Sequence, residues 1–194
     1  MEVSPQGRNL IAAVVGGLAV GTVSSFVAVD GFPLISLLLQ DNALVSRGWV
    51  WQLLTSIIVA PPIGVGVLDV AFNSIALVWL DGLFSVAYSR RQYYAVFLAT
   101  GVAGNIFSLA NGPAELSFGA SGGIFGLLAG VVSFDLATNR RLNFTLVAWF
   151  AVIFIFSSFL FSYVDWMAHL GGAIVGLALG YVVGRSGHDD ESAL

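Results

Sequence analysis

Apolar runs long enough to cross a membrane recur along most of the chain, and polar residues gather mainly between them. A helix needs about 20 predominantly apolar residues to span the hydrocarbon core of a bilayer. The pattern predicts an all-α membrane protein built as a bundle of six transmembrane helices. The predicted spans are 10–29, 63–86, 93–110, 121–137, 144–161 and 166–183. We expect one membrane domain over 10–184, preceded by a short N-terminus (1–9) and followed by an acidic tail (185–194).

The first apolar run has a competing interpretation as a cleaved signal peptide. Such a peptide has an apolar region of about 7–15 residues behind a positively charged start. Here the run is longer, and Glu2 and Arg8 make the start neutral. We therefore predict a retained span.

The segment 31–62 does not fit a span. Its apolar patches, 34–39 and 50–60, are too short to cross, and prolines and polar residues interrupt them. Trp49 and Trp51 are typical of the membrane interface, where amphipathic rings settle. We predict a long structured loop that lies at the outer face.

Composition excludes several classes of function. Hydrophobic residues make up 58% of the chain and charged residues 9%, against about 25% charged in an average soluble domain. Cysteine is absent, which excludes thiolate catalysis and Cys-based metal sites. The two histidines, His169 and His188, are too few for a His-rich metal site, and the arginines form no basic patch. We expect no metal, no cofactor and no nucleic-acid partner; the oligomeric state is left open.

The arginines predict the orientation in the membrane. Six spans put both termini on one side, and six of the seven arginines fall there: Arg8, Arg90, Arg91, Arg140, Arg141 and Arg185. By the positive-inside rule this side is cytoplasmic, and only Arg47 falls on the other side. The fourth and sixth spans then both begin at the outer face. Ser121 and His169, near those two starts, are therefore expected to share a face and a depth.

Stripes of small residues predict that these two spans pack together. Residues four apart lie on one face of a helix, and small residues there let two backbones approach closely in lipid. The stripes are Gly122, Gly126 and Gly130 in the fourth span, and Ala168, Gly172, Gly176, Gly180 and Gly184 in the sixth. Contact between the stripes would leave Ser121 and His169 opposed across the seam. Taken separately, each residue has a simpler interpretation. Ser121 would be a helix N-cap, and His169 would hydrogen-bond a neighbouring helix.

A serine and a histidine that face each other can act as the nucleophile and the base of a hydrolytic site. The serine hydroxyl needs a base to take its proton, and histidine suits that role near neutral pH. The backbone N–H groups at the start of the fourth helix, those of Gly119 and Ser121, are candidate donors to an oxyanion, and Gly119 and Gly122 leave the approach open. Asn73 is a further candidate donor. Asp165 is either a loop charge or an orienting acid, and we favour a Ser-His dyad.

Both motifs resemble those of the rhomboid family of intramembrane serine proteases. Gly119-Ala120-Ser121-Gly122 resembles the family's nucleophile motif, and Ala168-His169-Leu170-Gly171-Gly172 with Gly176 resembles its histidine motif. The order of spans also matches, over about 51–183. The resemblance implies that Ser121 is the nucleophile and His169 the base, and that Phe125, four residues after the serine, packs on the histidine ring.

The chain departs from the family's pattern at three positions. The family's second span carries a His-x-x-x-Asn element that helps the oxyanion hole; Asn73 fits the asparagine, but Asp69 stands in the histidine's place. A carboxylate cannot donate unless it is protonated, and its charge would oppose an oxyanion. Gln52 and Ser85 replace an arginine and a glutamate that are frequent in the family, and we expect them to affect stability more than chemistry.

By resemblance, the substrate is a single-span membrane protein that is cut in or beside its transmembrane helix within the lipid bilayer. The loops 31–62 and 162–166 would flank the opening through which water reaches Ser121 from the outer face, and we predict that 162–166 is mobile. Two alternatives are a non-proteolytic relative that binds membrane clients, and a small transporter or channel. The transporter would use Asp69, Asn73, Asp81 and Asn105 to line a path.

Overall fold

The computed structural model describes residues 2–29, 31–62, 64–159 and 164–191, with side chains described as far as 186. Its six long helices correspond to the six predicted spans. They are α1 (Pro5–Phe26), α2 (Val65–Ala87), α3 (Arg90–Ser108), α4 (Ser121–Asn139), α5 (Phe144–Phe159) and α6 (Trp166–Glu191). All except α5 are long and apolar enough to cross a membrane, and the prediction of an all-α membrane bundle is confirmed. The described part of the fifth span, α5, has 16 residues, and the predicted end at 161 lies outside the described residues.

Local sequence explains where the helices begin and end. α1 starts at Pro5, and the Ser4 hydroxyl before it accepts the N–H of Gly7 at 3.1 Å. α3 begins with a reciprocal capping box between Ser89 and Gln92. α4 ends at Asn139, and Arg140, the C-cap residue, takes the left-handed conformation with φ 53°. These caps satisfy backbone groups that the helix ends leave unpaired.

α4 is the central helix of the bundle. Of its membrane-length segment, 72% is buried inside the protein, against 28–44% for the other four helices long enough to span. Its neighbours are chiefly α6 and α3, with α2 alongside. A helix that is apolar on all sides and enclosed in this way forms the core, while its neighbours keep one face for lipid.

The two stripes of small residues are in direct contact between α4 and α6. A methyl group on Gly172, Gly176 or Gly180 would collide with the carbonyl oxygen of a glycine on α4. Those carbonyls belong to Gly122, Gly126 and Gly130, in the same order. The two backbones therefore approach in register over two full turns, as the four-residue spacing predicts.

The segment 31–62 contains several short elements of secondary structure. It contains a 3₁₀ helix (Leu34–Leu37) and two short α-helices (Asn42–Val45 and Gln52–Thr55). Ala28–Val29 pairs antiparallel with Phe32–Pro33, and Gln40–Asp41 pairs with Leu116–Ser117 in the loop before α4. The loop is thus joined directly to the segment that leads into Ser121.

Buried amide side chains anchor this loop to α3. Gln40 donates to the side chain of Asn42 (2.7 Å) and to the carbonyl of Asn105 (2.9 Å). Asn105 donates to the carbonyl of Leu53 (2.8 Å) and to the Ser56 hydroxyl (2.9 Å). Asn105 therefore has structural partners, which removes one member of the path that a transporter would need.

Candidate active site

Ser121 is the first residue of α4, and the loop before it is shaped by Gly119. Gly119 has φ 110°, a conformation that favours glycine. A Cβ at Gly119 would also lie 2.7 Å from both carboxylate oxygens of Asp69. The Gly119 N–H donates to the carbonyl of Ser56 at 2.9 Å, so the loop 31–62 fixes this turn. Only a residue without a side chain fits between Asp69 and the start of α4.

The hydroxyl of Ser121 is unengaged. Its side chain is partly exposed and has no hydrogen-bond partner among the described residues. Because Ser121 opens the helix, its backbone N–H lacks an intrahelical acceptor and lies at the positive end of the helix dipole. The position thus combines a free hydroxyl with a free donor.

His169 lies in the first turn of α6 and is 3% exposed. Its imidazole packs on Phe125, with ring centroids 4.4 Å apart and planes inclined by 36°. It also meets Phe154 of α5 edge to face at 6.3 Å. Phe125 is one turn after Ser121 on α4, so this contact brings the ring to the end of α4 that carries the serine.

The helices touch beside the two residues. A methyl group on Gly122 would lie 3.3 Å from the carbonyl oxygen of Ala168. Ser121 precedes Gly122 and His169 follows Ala168. Ser121 and His169 therefore flank the same point of the seam, the contact line between α4 and α6. Within the described part of the chain, no hydrogen bond joins Ser121 to His169. The structure brings them to one end of one helix pair with the hydroxyl unbound.

Asn73 and Asp69 form a pair on α2. The Asn73 amide donates one hydrogen to Oδ2 of Asp69 at 2.9 Å, and Asn73 is buried. An asparagine amide has two hydrogens, so one remains for another acceptor. The contact between Asp69 and Gly119 puts this pair next to the turn that leads into Ser121.

Asp165 anchors loops and does not hold the histidine ring. Its carboxylate accepts hydrogen bonds from the Asn111 side chain and the Ser117 hydroxyl, both at 2.7 Å, and from the N–H of Ala168 at 3.1 Å. These bonds tie the start of α6 to the segment before α4. Of the two roles left open for Asp165, the structure shows the loop anchor.

The one side chain that hydrogen-bonds the ring among the described residues is a serine that was not predicted from the sequence. The Ser158 Oγ on α5 lies 2.8 Å from Nδ1 of His169. The available signal was slight: Ser157 and Ser158 are polar residues in a run of phenylalanine, isoleucine and valine. No spacing rule relates a serine in one helix to a histidine in another.

Two further expectations concern the loop 162–166 and metal binding. Of the loop 162–166, residues 162 and 163 lie outside the described residues, so its predicted mobility stays a prediction. Among the described residues, no group of three His, Cys, Asp or Glu side chains is placed to hold a metal ion.

Comparison with known proteins matches the same part of the chain. A family model, the Rhomboid domain, matches residues 47–186. The chain is 31% identical over 140 residues to Rhomboid protease GluP of Bacillus subtilis (strain 168), covering 71% of this chain and 27% of that protein. It is 30% identical over 149 residues to RHOMBOID-like protein 1 of Arabidopsis thaliana, covering 74% of this chain and 37% of that protein.

A third relative has a more similar length. Putative rhomboid protease YdcA of Bacillus subtilis (strain 168) is 29% identical over 149 residues, covering 73% of this chain and 71% of that protein. The chain thus spans 27% and 37% of the lengths of the first two relatives. All three matches cover most of the chain described above.

Proposed function

Because this chain belongs to the rhomboid family and is a multi-pass membrane protein, we propose that it is an intramembrane serine endopeptidase with a Ser121-His169 dyad. The observation that carries the proposal is the seam between α4 and α6. Ser121 and His169 flank the close approach of Gly122 to Ala168, and Phe125, one turn after Ser121, packs on the buried imidazole. Two of the relatives are named rhomboid proteases, and neither alternative function is favoured.

The chemistry follows from the two side chains. His169 takes the proton of the Ser121 hydroxyl as the Oγ attacks the substrate carbonyl carbon. The tetrahedral intermediate collapses when the protonated imidazole gives its proton to the leaving amine, and the C–N bond breaks. Water then attacks the acyl ester, His169 again serves as base and acid, and Ser121 is released.

The oxyanion needs donors that are already in place before the reaction. The Ser121 N–H and the second amide hydrogen of Asn73 are the candidates, and the dipole of α4 adds to both. Gly119 was also expected to donate, but its N–H is bonded to the Ser56 carbonyl at 2.9 Å. We assign Gly119 to the shape of the turn, since a donor role would require that bond to break. Gly122 and Gly172 support the site through the close helix contact.

The proposed substrate is a single-span membrane protein, cut in or beside its transmembrane helix. The peptide groups of a helix in lipid are hydrogen-bonded internally, so the substrate must unwind locally before Ser121 can reach a carbonyl. We place the protein in the cell membrane with cytoplasmic termini and the site opening toward the outer face, following the arginine distribution. The loop 31–62, joined to the Ser121 turn, would border that opening.

The direct test is cleavage of a panel of single-span substrates by the purified protein in detergent or lipid discs. Ser121→Ala and His169→Ala should each abolish cleavage while the helical content stays as in the wild type. Ser133→Ala is the matched control, because Ser133 also lies on α4 but donates to the carbonyl of Gly130 within its own helix (3.0 Å). Cleavage that survives either dyad substitution would refute the proposal.

A further inference from the structure

Ser158 connects α5 to the candidate base. Throughout α5 (Phe144–Phe159), which is fully described, Ser158 is the one buried residue, at 3% exposure. Its Oγ lies 2.8 Å from Nδ1 of His169, which is also 3% exposed. Water therefore has little access to either atom, and each is the other's hydrogen-bond partner. A buried pair of this kind fixes the orientation of both groups.

The two ring nitrogens must differ for the histidine to act as a base. A neutral imidazole carries its proton on one nitrogen and a lone pair on the other, and the hydrogen bond made by one nitrogen selects the state of the other. If Nδ1 donates to Ser158, the lone pair is on Nε2. Nε2 is then the atom available to take the Ser121 proton.

Ser158 differs from the neighbouring Ser157 in its hydrogen-bond partner. Serine hydroxyls inside a helix commonly donate to a carbonyl three or four residues earlier, which leaves their oxygen lone pairs free. Ser157 does this, with its Oγ 2.6 Å from the carbonyl oxygen of Ile153. Ser158 makes no such bond: among the described residues its Oγ has Nδ1 of His169 as its one partner. Its hydroxyl can therefore donate to Nδ1 or accept from it, and the tautomer of the ring decides between the two.

We propose that Ser158 is a positioning residue for His169, accepting the Nδ1–H and so holding the lone pair on Nε2. Once His169 has taken the proton of Ser121, both nitrogens carry hydrogen, and Nδ1–H needs an acceptor. Among the described residues no carboxylate bonds to the ring, since Asp165 is engaged by Asn111, Ser117 and Ala168. The Ser158 hydroxyl thus takes the place that a third, acidic member occupies in a triad. The proposal rests on the proposed function.

The test reads the ring directly by NMR. Protein labelled with [15N]histidine in a His188→Gln background has a single imidazole, because the chain contains two histidines. The protonated and unprotonated nitrogens have well-separated shifts, so the tautomer can be assigned. The wild-type ring should hold the Nδ1–H tautomer, Ser158→Ala should give a mixture of tautomers, and Ser158→Thr should restore the wild-type spectrum. Ser157→Ala is the matched control and should leave the spectrum unchanged.

Kinetics supplies the second readout. Ser158→Ala should lower kcat at least about tenfold with little change in KM, since one hydrogen bond to the protonated imidazole is lost and substrate contacts are kept. Ser158→Thr should recover most of the rate. If Ser158→Ala does not fold, the nearly isosteric Ser158→Cys replaces it, because a thiol is a weak acceptor.

Two results would overturn the proposal. One is an Nε2–H tautomer in the wild type, which would make Ser158 the donor. The other is a Ser158→Ala protein whose nitrogen shifts and kcat both equal those of the wild type. The NMR experiment needs no substrate, so failure of the proposed function, seen as no cleavage by the wild type, is distinguished from failure of the ring orientation.

Discussion

Two aspartates on α2 show how differently a membrane helix can use an acid. Asp81 is 2% exposed and accepts three hydrogen bonds, from the Ser4 N–H (2.6 Å), the Ser4 hydroxyl (2.8 Å) and the Tyr93 hydroxyl (3.0 Å). Asp69 accepts one side-chain hydrogen bond, from Asn73, and lies against Gly119. The two are twelve residues apart, about 18 Å along a helix.

The two aspartates differ in their hydrogen-bond partners. Asp81 joins the starts of α1 and α3 to the end of α2, so its hydrogen bonds serve the fold. Asp69 stands beside the turn that leads into Ser121, with a neighbour that has a spare donor. An acid within a membrane helix is a functional candidate by default. Here the partner set separates the structural acid from the one at the site.

The largest effect is expected at Asn73, the partner of Asp69, and it would sharpen the comparison between Asp69 and Asp81. Asn73→Ala removes the proposed amide donor to the oxyanion and should lower kcat about 10²–10³-fold, the usual cost of one such donor. The thermal unfolding midpoint should change little, because only the bond to Asp69 is lost. Cleavage kinetics and thermal unfolding, measured on the same preparation, check the lowered kcat and the unchanged unfolding midpoint. Wild-type kcat in this variant would remove Asn73 from the site.

Asp81→Ala should have the opposite profile. It leaves the buried Tyr93 hydroxyl and the part-buried donors of Ser4 without acceptors, which should cost about 2–3 kcal/mol of stability. Cleavage measured below the lowered unfolding temperature should keep the wild-type kcat. Asp81→Asn is the matched control, because it keeps one acceptor oxygen and should lose less stability. A stable Asp81→Ala protein with a low kcat would break the distinction between the two acids.

Asp69→Asn should change kcat more than stability, and by a smaller factor than Asn73→Ala. It removes a negative charge beside the proposed oxyanion, so we expect kcat to rise several-fold, worth about 1 kcal/mol. Thermal unfolding should stay within error of the wild type, since asparagine keeps the shape and an acceptor. An unchanged kcat would show that the charge of Asp69 does not reach the reacting atoms.

The smallest effect is expected at Tyr93. Tyr93→Phe removes one of the three hydrogen bonds to Asp81 and should cost about 1 kcal/mol of stability without altering kcat. Tyr94→Phe is the matched control: Tyr94 accepts from Asn9 at an exposed position, so its loss should cost less. Equal losses in the two variants would argue that the Asp81 cluster is not a special source of stability.

Regular spacing explains what the sequence predicted well. The six helices follow from apolar runs, and the contact between α4 and α6 follows from glycines four residues apart. Partners far apart in the chain were not predictable in this way. Ser4 is 77 residues from Asp81, and the turn at Gly119 depends on the carbonyl of Ser56. Ser158 reached the candidate site through the packing of α5, which no periodicity encodes.

The measurement that tests the central claim most directly is covalent labelling of Ser121 by a fluorophosphonate, followed by intact mass and peptide mapping. A hydroxyl activated by His169 should form one adduct, located at Ser121, and the rate of labelling should fall to background in His169→Ala. Ser133→Ala should label at the wild-type rate. Absence of an adduct at Ser121, or labelling that is independent of His169, would contradict the account.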